Sequence, residues 1–582
     1  MLAWCPGLQG PLARWGIPLV LGLTLACASG SDTIDPHSAD IAASPPSRSN
    51  ILLIVADDLG YGDLGVFGSE IETPAIDALA RAGARFTSFY TQVSCSPTRS
   101  MLLTGVDNHL NGLGTMAEDL LPHHDGVPGY EGYLNDRVVT IATLLRDAGY
   151  HTYMTGKWHL GLTPESDPHR RGFERTYALL KGGGNHFNDE GMNAPNRHVP
   201  YTENGQAIQR PAGIFSSDLF TDKLMEAIDR DHGDGRPFFA YLAFTAPHFP
   251  LQAPPALIEK YAGRYKDGWD ATRRRRFQRM QEMGLAPEGM ALPPRIAEVP
   301  EWDDLTAAQR QVEAKKMAIY AAMVDNLDTN VGRMLGLLDD LDAADNTLVL
   351  FMSDNGTDPY DRNQRPIYAS LRSDFGYDNS LENMGKASSS VFYGLGWAQV
   401  GSVHHRHYKF LPSEGGMHAP MIMRFPGVIA PGDDRDAFTT VLDVAPTFLE
   451  VAGVRPPGAR YKGRDIQPQR GRSFLPYLRA PGKPPHSDQE PVAFEIFGHG
   501  VVFMGPWKAV RLRPPWEDST WRLHNLSADP GEEHDLASEE PELLAQLISA
   551  YHDFAEANGV IDEPAGITAY PYKPGHLGDL VP

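Results

Sequence analysis

The sequence predicts an α/β protein with a large, mostly parallel or mixed central sheet flanked by helices, followed by a smaller C-terminal antiparallel sheet and helix. Three observations predict it. Continuous apolar runs, of the kind found in strands buried on both faces, alternate with segments of helical periodicity. Four of those runs stop at polar or ionisable residues, as parallel strands do where their carboxyl ends bind a ligand. From about Pro491 onward the runs become short and closely spaced, which is the pattern of an antiparallel meander.

The first run is Ile51-Leu52-Leu53-Ile54-Val55-Ala56, and it ends in Asp57-Asp58. A helix is expected next, with Thr73 as N-cap, Pro74 at its first position and Gly83 just past its end. Phe86 to Tyr90 reads as a short strand leading to Cys95. Val138 to Ala148 has helical periodicity and stops at Gly149; the strand His151–Met154 then runs into Gly156-Lys157-Trp158-His159-Leu160-Gly161. The strand Phe238–Phe244 precedes Ala246-Pro247-His248, and a helix spans Ala318 to Leu341. The strand Thr347–Met352 ends in Ser353-Asp354-Asn355-Gly356. In the C-terminal part, strands are expected at Val492–Ile496, Val501–Phe503, Trp507–Arg511 and Trp521–Leu523, with a helix over Pro541–Ala555.

Asp or Asn after a strand is usually a turn former. Four strand ends that deliver Asp57 and Asp58, Lys157 and His159, His248, and Asp354 and Asn355 to one edge are not explained that way. Asp57, Asp58, Asp354 and Asn355 offer only oxygen ligands, which suits Ca²⁺ or Mg²⁺ rather than Zn²⁺. Such an acidic shell needs neutralising neighbours, which Arg99, Lys157 and a further lysine can supply.

The chain has 582 residues, 42% hydrophobic and 21% charged, long enough for several domains. Its net charge of −23 argues against nucleic acid or an anionic membrane surface as the main partner, and an anionic substrate would need its own local cations. At the N-terminus, Arg14 and the apolar segment from Ile17 to Ala26 read as an export signal over residues 1–27, with Leu25-Ala26-Cys27 as a lipoprotein-type cleavage pattern and Cys27 as a lipid anchor. Exported, periplasmic, membrane-anchored or secreted localisation is therefore expected. Residues 28–49, rich in Ser, Asp and Pro, read as a disordered tether. No later segment is apolar enough for a transmembrane helix. With Cys5 removed and Cys27 lipidated, only Cys95 is left of three cysteines, so no disulfide framework is possible.

Cys95-Ser96-Pro97-Thr98-Arg99 sits in a polar segment at the start of an expected helix, where a reactive rather than a structural cysteine would stand. The pattern Cys-x-Pro-x-Arg resembles the signature of the type I sulfatases. Asp57-Asp58, Gly156-to-Gly161, Ala246-Pro247-His248 and Ser353-to-Gly356 match that family in the same order. Gly396-Trp397-Ala398-Gln399, Lys409 and Glu414-Gly415-Gly416 resemble its bacterial arylsulfatase branch, and Leu523-His524-Asn525-Leu526 with Asp529-Pro530-Gly531-Glu532 resembles its C-terminal subdomain.

The resemblance implies an alkaline-phosphatase-like fold, with a catalytic domain over residues 50–490 and a C-terminal α+β subdomain over 491–582. It implies that a maturation enzyme oxidises Cys95 to formylglycine, an aldehyde whose hydrate attacks sulfate esters. Asp57, Asp58, Asp354 and Asn355 would bind Ca²⁺, with Mg²⁺ as the alternative. Arg99 would orient the hydrate, while Lys157 and Lys409 bind sulfate oxygens. His248 would contact substrate and protonate the leaving alcohol, and His159 would be the base that drives sulfate release. Asp354 would help deprotonate the attacking hydroxyl. Lys409 is crowded by His404, His405 and His407, and Lys386 is its rival.

The activity implied is hydrolysis of sulfate esters, aryl sulfates first. A formylglycine-dependent phosphonate monoester or phosphodiester hydrolase is the enzymatic alternative. An inactive sulfate-ester-binding surface lipoprotein is the alternative of another class. Arg273 to Arg276 reads as a solvated helix face, or else as an edge of the substrate funnel, and the Gly182-to-His186 segment as a turn. The stretch from Pro359 to His407 reads as lining the substrate mouth, and its aromatics Tyr360, Tyr368, Phe375, Tyr377 and Trp397 read either as stacking on an aryl group or, for some of them, as core packing.

Overall fold

The computed structural model describes residues 48–192, 197–361, 375–564 and 566. The expected export signal, Cys27, most of the tether, Tyr368 and residues 567–582 lie outside them. The last two residues of the expected tether are not loose. Arg48 donates to the carbonyl of Ala148, and Ser49 Oγ bonds Asn346 Oδ1 at 3.2 Å.

Ten strands form the central sheet. In spatial order they are Asp433–Arg435, Ala84–Phe86, Met421–Arg424, Thr347–Ser353, Asn50–Ala56, Phe238–Ala243, His151–Lys157, Arg175–Leu179, Tyr201–Glu203 and Gln206–Ile208. The five from Thr347–Ser353 to Arg175–Leu179 are mutually parallel. Met421–Arg424 and the Tyr201–Glu203 hairpin add antiparallel partners on either side, so the sheet is mixed. Ile51 to Ala56 are fully buried, as their unbroken apolar run requires of a strand covered on both faces.

Three expected elements run past one of their predicted bounds. The strand from His151 runs to Lys157, that from Thr347 to Ser353, and the long helix covers Ala307–Asp340. The Phe86-to-Tyr90 segment is two short strands, Ala84–Phe86 and Phe89–Tyr90. Thr73 does precede the helix Pro74–Ala82, but its hydroxyl donates to Asp77 Oδ1 instead of capping the backbone.

The C-terminal strands Val492–Ile496, His499–Met504, Trp507–Arg511 and Trp521–Asn525 form one antiparallel sheet. Period-two alternation divides its residues. Phe494, Val501 and Phe503 join the main core, while Val502, Met504 and Leu523 pack with Leu547 and Tyr551 of the helix Pro541–Asn558. Among the described residues no helix is long and apolar enough to cross a membrane.

The buried His109 ties this sheet to the rest of the fold. Its Nδ1 lies 2.9 Å from Asp107 Oδ1 and its Nε2 2.7 Å from Glu495 Oε2. Burial alone would depress its pKa, but the two carboxylates outweigh burial and push it up to about 10. A raised histidine pKa stabilises the fold fully below the unfolded value of about 6.5, and that stabilisation is lost as pH rises through the folded value. The Tm difference between the native protein and His109→Gln should therefore shrink steadily from pH 6.5 to pH 10. A constant difference would mean that the ring is held neutral.

The arginine run is not a solvated face. Arg274 and Arg275 are exposed, but Arg273 and Arg276, spaced i,i+3 on the helix Gly268–Glu282, turn inward with Phe277 and Met280. Arg273 donates to the carbonyls of Val403 and Pro293. Arg276 donates to both carboxylate oxygens of Glu70 and to Asp63. Asp63 in turn accepts from the Gly60 amide and the Tyr320 hydroxyl, which holds the loop following Asp58.

Candidate active site

The three central strands end together. The Asp57 amide donates to the Ala246 carbonyl at 3.1 Å, and the Asp354 amide to the Ala56 carbonyl at 3.2 Å, so the strand ladder continues one residue into the polar edge. Asp58 follows in the left-handed region with φ 66°. Its amide donates to Asp354 Oδ1 at 3.2 Å.

Cys95 opens the helix Cys95–Thr104, which ends at Gly105 with φ 66°; all ten residues of this helix are buried. The helix N-terminus carries a partial positive charge toward the polar edge. Cys95 Sγ lies 3.5 Å from Asp57 Oδ1, 3.8 Å from Asp58 Oδ1 and 3.1 Å from Lys409 Nζ. Lys157 Nζ donates to both oxygens of Asp57, at 2.8 and 2.7 Å. Lys409 Nζ donates to Asp58 Oδ1 at 2.6 Å. Arg99 donates through Nε to Asp354 Oδ2 at 2.8 Å and through Nη1 to the Tyr241 hydroxyl at 3.3 Å. Asn355 Nδ2 donates to Asp58 Oδ1 at 2.6 Å. The rival Lys386 is exposed, whereas Lys409 is buried in the centre.

His248 sits at the mouth. Its Nδ1–H donates to the Phe249 carbonyl at 2.7 Å, which leaves Nε2 facing Asp58 Oδ2 at 3.6 Å. His159, with φ 57°, instead turns its Nε2 to Glu118 Oε2 at 3.1 Å, and its buried Nδ1 has no hydrogen-bond partner. Burial holds its pKa below the usual histidine range, so the ring is neutral and able to accept a proton. The sequence reading missed Glu118 and Tyr241; neither stands at a strand end or in a motif, so no local signal marks them.

The charges nearly balance. Asp57, Asp58 and Asp354 face Arg99, Lys157 and Lys409, and the buried Asp358 adds a further carboxylate beside Asp58 and Lys409. Burial pushes the Asp57 carboxyl up to about 7 despite Lys157, and it raises Asp58 despite Lys409. Asp354 stays below the usual range because Arg99, Lys157 and Lys409 outweigh its burial. Burial drives the Cys95 thiol well above its usual pKa despite the two lysines, so it is held as a neutral thiol.

The donor set fits a hard divalent cation. Asp58 Oδ2 and Asn355 Oδ1 are buried without hydrogen-bond partners, and ligand atoms of Asp57, Asp58, Cys95 and His248 lie within 4.8 Å of one another. Bound there, such a cation would give the cluster a net positive charge, which suits an anionic ester despite the chain's overall −23.

One aromatic expectation changes. Trp397 is fully buried on the helix Leu395–Ser402 and packs edge-on against Trp269, so it is core and does not line a mouth. Tyr360 does line a narrow cleft, with Asp58, His248, Phe249 and Tyr393. Tyr377 is half-buried, with its hydroxyl 3.4 Å from the Gly191 carbonyl.

A buried thiol at a helix N-terminus, carboxylates that can hold a cation, two lysines and a histidine at the mouth define a hydrolase for anionic esters, built on an α/β sheet edge. Comparison with known proteins narrows this. The sulfatase family profile matches residues 49–454. An uncharacterized sulfatase of Schizosaccharomyces pombe is 42% identical over 533 residues, covering 90% of this chain and 96% of its own. An arylsulfatase of Klebsiella aerogenes is 37% identical over 422 residues, covering 71% and 89%. Among solved structures, Ps i-CgsB in complex with k-i-k-neocarrahexaose matches with a TM-score of 0.62 at 25% identity, covering 88% of this chain and 93% of that one. The chain belongs to the sulfatase family, and its fold is the alkaline-phosphatase-like sulfatase fold.

Proposed function

We propose that this sulfatase hydrolyses aryl sulfates, with Cys95 matured to formylglycine and a Ca²⁺ ion held by Asp57, Asp58, Asp354 and Asn355. The likeness to the Klebsiella aerogenes arylsulfatase carries the aryl assignment, and Phe249, Tyr360 and Tyr393 place aromatic side chains beside His248. Held by those four residues, the cation would polarise a sulfate oxygen, and a hydrated formylglycine at position 95 would supply the attacking hydroxyl.

The chain's own side chains do the rest. The ammonium groups of Lys157 and Lys409 bind the sulfate oxygens and offset the charge that builds on them. Arg99 fixes Asp354 in its ionised form, ready to take the proton of the attacking hydroxyl. His248 Nε2, aimed by the Nδ1–H bond to Phe249, passes a proton to the departing phenolate oxygen. The neutral His159 ring, oriented by Glu118, accepts the proton whose removal releases sulfate. Export through residues 1–27 with Cys27 as lipid anchor, and maturation by a formylglycine-generating enzyme, belong to the same proposal. The N-terminal mass of the mature protein tests the export part.

The discriminating experiment compares kcat/KM for p-nitrophenyl sulfate with that for an aryl phosphodiester and for a 6-sulfated amino sugar. The proposal expects the aryl sulfate to lead. A leading phosphodiester would favour the phosphonate and phosphodiester alternative, and a leading amino sugar would move the substrate to saccharides. Chelation of divalent ions should abolish turnover and Ca²⁺ should restore it. Restoration by Zn²⁺ alone would contradict the all-oxygen donor set.

A further inference from the structure

A second cluster of metal-type ligands lies away from the sulfate centre. His405, Glu414 and His418 are all buried, and one ligand atom from each lies within 4.8 Å of the other two. They stand in the wall of a cavity of about 660 Å³, together with Tyr61 and Tyr90. The sulfate-centre residues Cys95, Asp58 and His248 do not line this cavity.

The contact between His418 and Glu414 needs a bridging cation. Its Nε2 lies 2.8 Å from the Thr87 carbonyl, which can only accept, so Nε2 carries a hydrogen. Its Nδ1 then faces Glu414 Oε2 at 3.2 Å. An imidazole lone pair cannot face a carboxylate oxygen unaided, so either a proton or a metal cation lies between Nδ1 and Oε2.

Two further observations point the same way. The buried carboxylates Glu414 and Glu532 share the single ammonium of Lys508, at 2.8 and 2.9 Å, so a second positive charge is called for beside Glu414, from a proton on His418 or from a metal ion. His405, stacked on His418 with ring centroids 4.6 Å apart, has a buried Nδ1 without a hydrogen-bond partner. Metal–ligand bonds of about 2.0–2.1 Å at a tetrahedral angle hold N and O about 3.3 Å apart, close to the Glu414–His418 spacing.

We propose that His405, Glu414 and His418 form a second metal centre that takes a transition-metal cation of the Zn²⁺ class, with its open position toward the cavity. Two imidazoles and one carboxylate are a donor set for Zn²⁺, Cu²⁺ or Ni²⁺ and not for Ca²⁺, so the two centres sort metals by ligand chemistry. The supporting shell is already in place: Thr87 orients His418, while Tyr90 and Lys508 hold Glu414. His405 and Glu414 flank Lys409 in the chain, so a bound metal clamps both sides of the segment that delivers this lysine to the sulfate centre.

The test is a Co²⁺ titration of the full-length protein in saturating Ca²⁺. One equivalent should bind with the intense visible bands of a low-coordinate nitrogen-containing site and be displaced by Zn²⁺. His405→Gln should abolish those bands, whereas Asp58→Asn, at the sulfate centre, should keep them. X-ray absorption of the Zn²⁺-loaded native protein needs no variant, and it should show imidazole nitrogens around the metal. Absence of the bands in the native protein would mean that a proton alone bridges His418 and Glu414, and would overturn the proposal. Bands that survive His405→Gln, or a zinc sphere without imidazole, would overturn it equally.

Discussion

Cys95→Ala should lose turnover by about 10⁴-fold or more, with the fold intact. The side chain is small and already neutral, so its removal leaves the ion pairs of Lys157 with Asp57 and Lys409 with Asp58 in place. Those pairs maintain the charge balance of the centre, and substrate binding should survive. The structure also explains why an unmodified thiol would be a poor catalyst. Burial holds it protonated despite Lys157 and Lys409, and a thiolate would face Asp57, Asp58 and Asp354 at close range. Activity that persists in Cys95→Ala, with binding and Tm unchanged, would place the nucleophile elsewhere.

His248→Ala is the second large effect, and it should depend on the leaving group. General acid catalysis is worth about 10²–10⁴-fold where the departing oxygen needs a proton, and little where it departs as a stable phenolate. The loss should therefore be steep for phenyl sulfate and shallow for p-nitrophenyl sulfate, giving a more negative slope of log kcat/KM against leaving-group pKa. The hydrogen bond from Nδ1 to the Phe249 carbonyl supports this, because it commits Nε2 to the mouth. Equal losses across the series would reduce His248 to substrate binding.

The parts of this centre legible in the sequence are those written in contiguous residues. Ile51 to Ala56 reads as a buried strand because it is apolar without a break, and Asp57-Asp58 then has to be its end. The same reasoning placed Lys157, His248, Asp354 and Asn355, and the structure brings all of them with Cys95 to one edge. What was not legible depends on pairing between distant segments. The antiparallel strand Met421–Arg424, beside Thr347–Ser353, is as apolar as a parallel one would be, and nothing local encodes its direction. Glu118 meets His159 across a fold contact that no periodicity marks. Arg273 and Arg276 looked solvated because a run of like charge usually is. Their i,i+3 spacing turned them inward, where Asp63 and Glu70 wait on another segment. Trp397 was read as a mouth residue from its place in a long connection, but that connection contains a helix that buries it.

The central claim is that the nucleophile is made from Cys95 after translation. The most direct measurement is the mass of the tryptic peptide Phe86 to Arg99, from protein produced in cells that mature sulfatases. The account predicts an aldehyde or its hydrate at Cys95. An intact thiol there would contradict it.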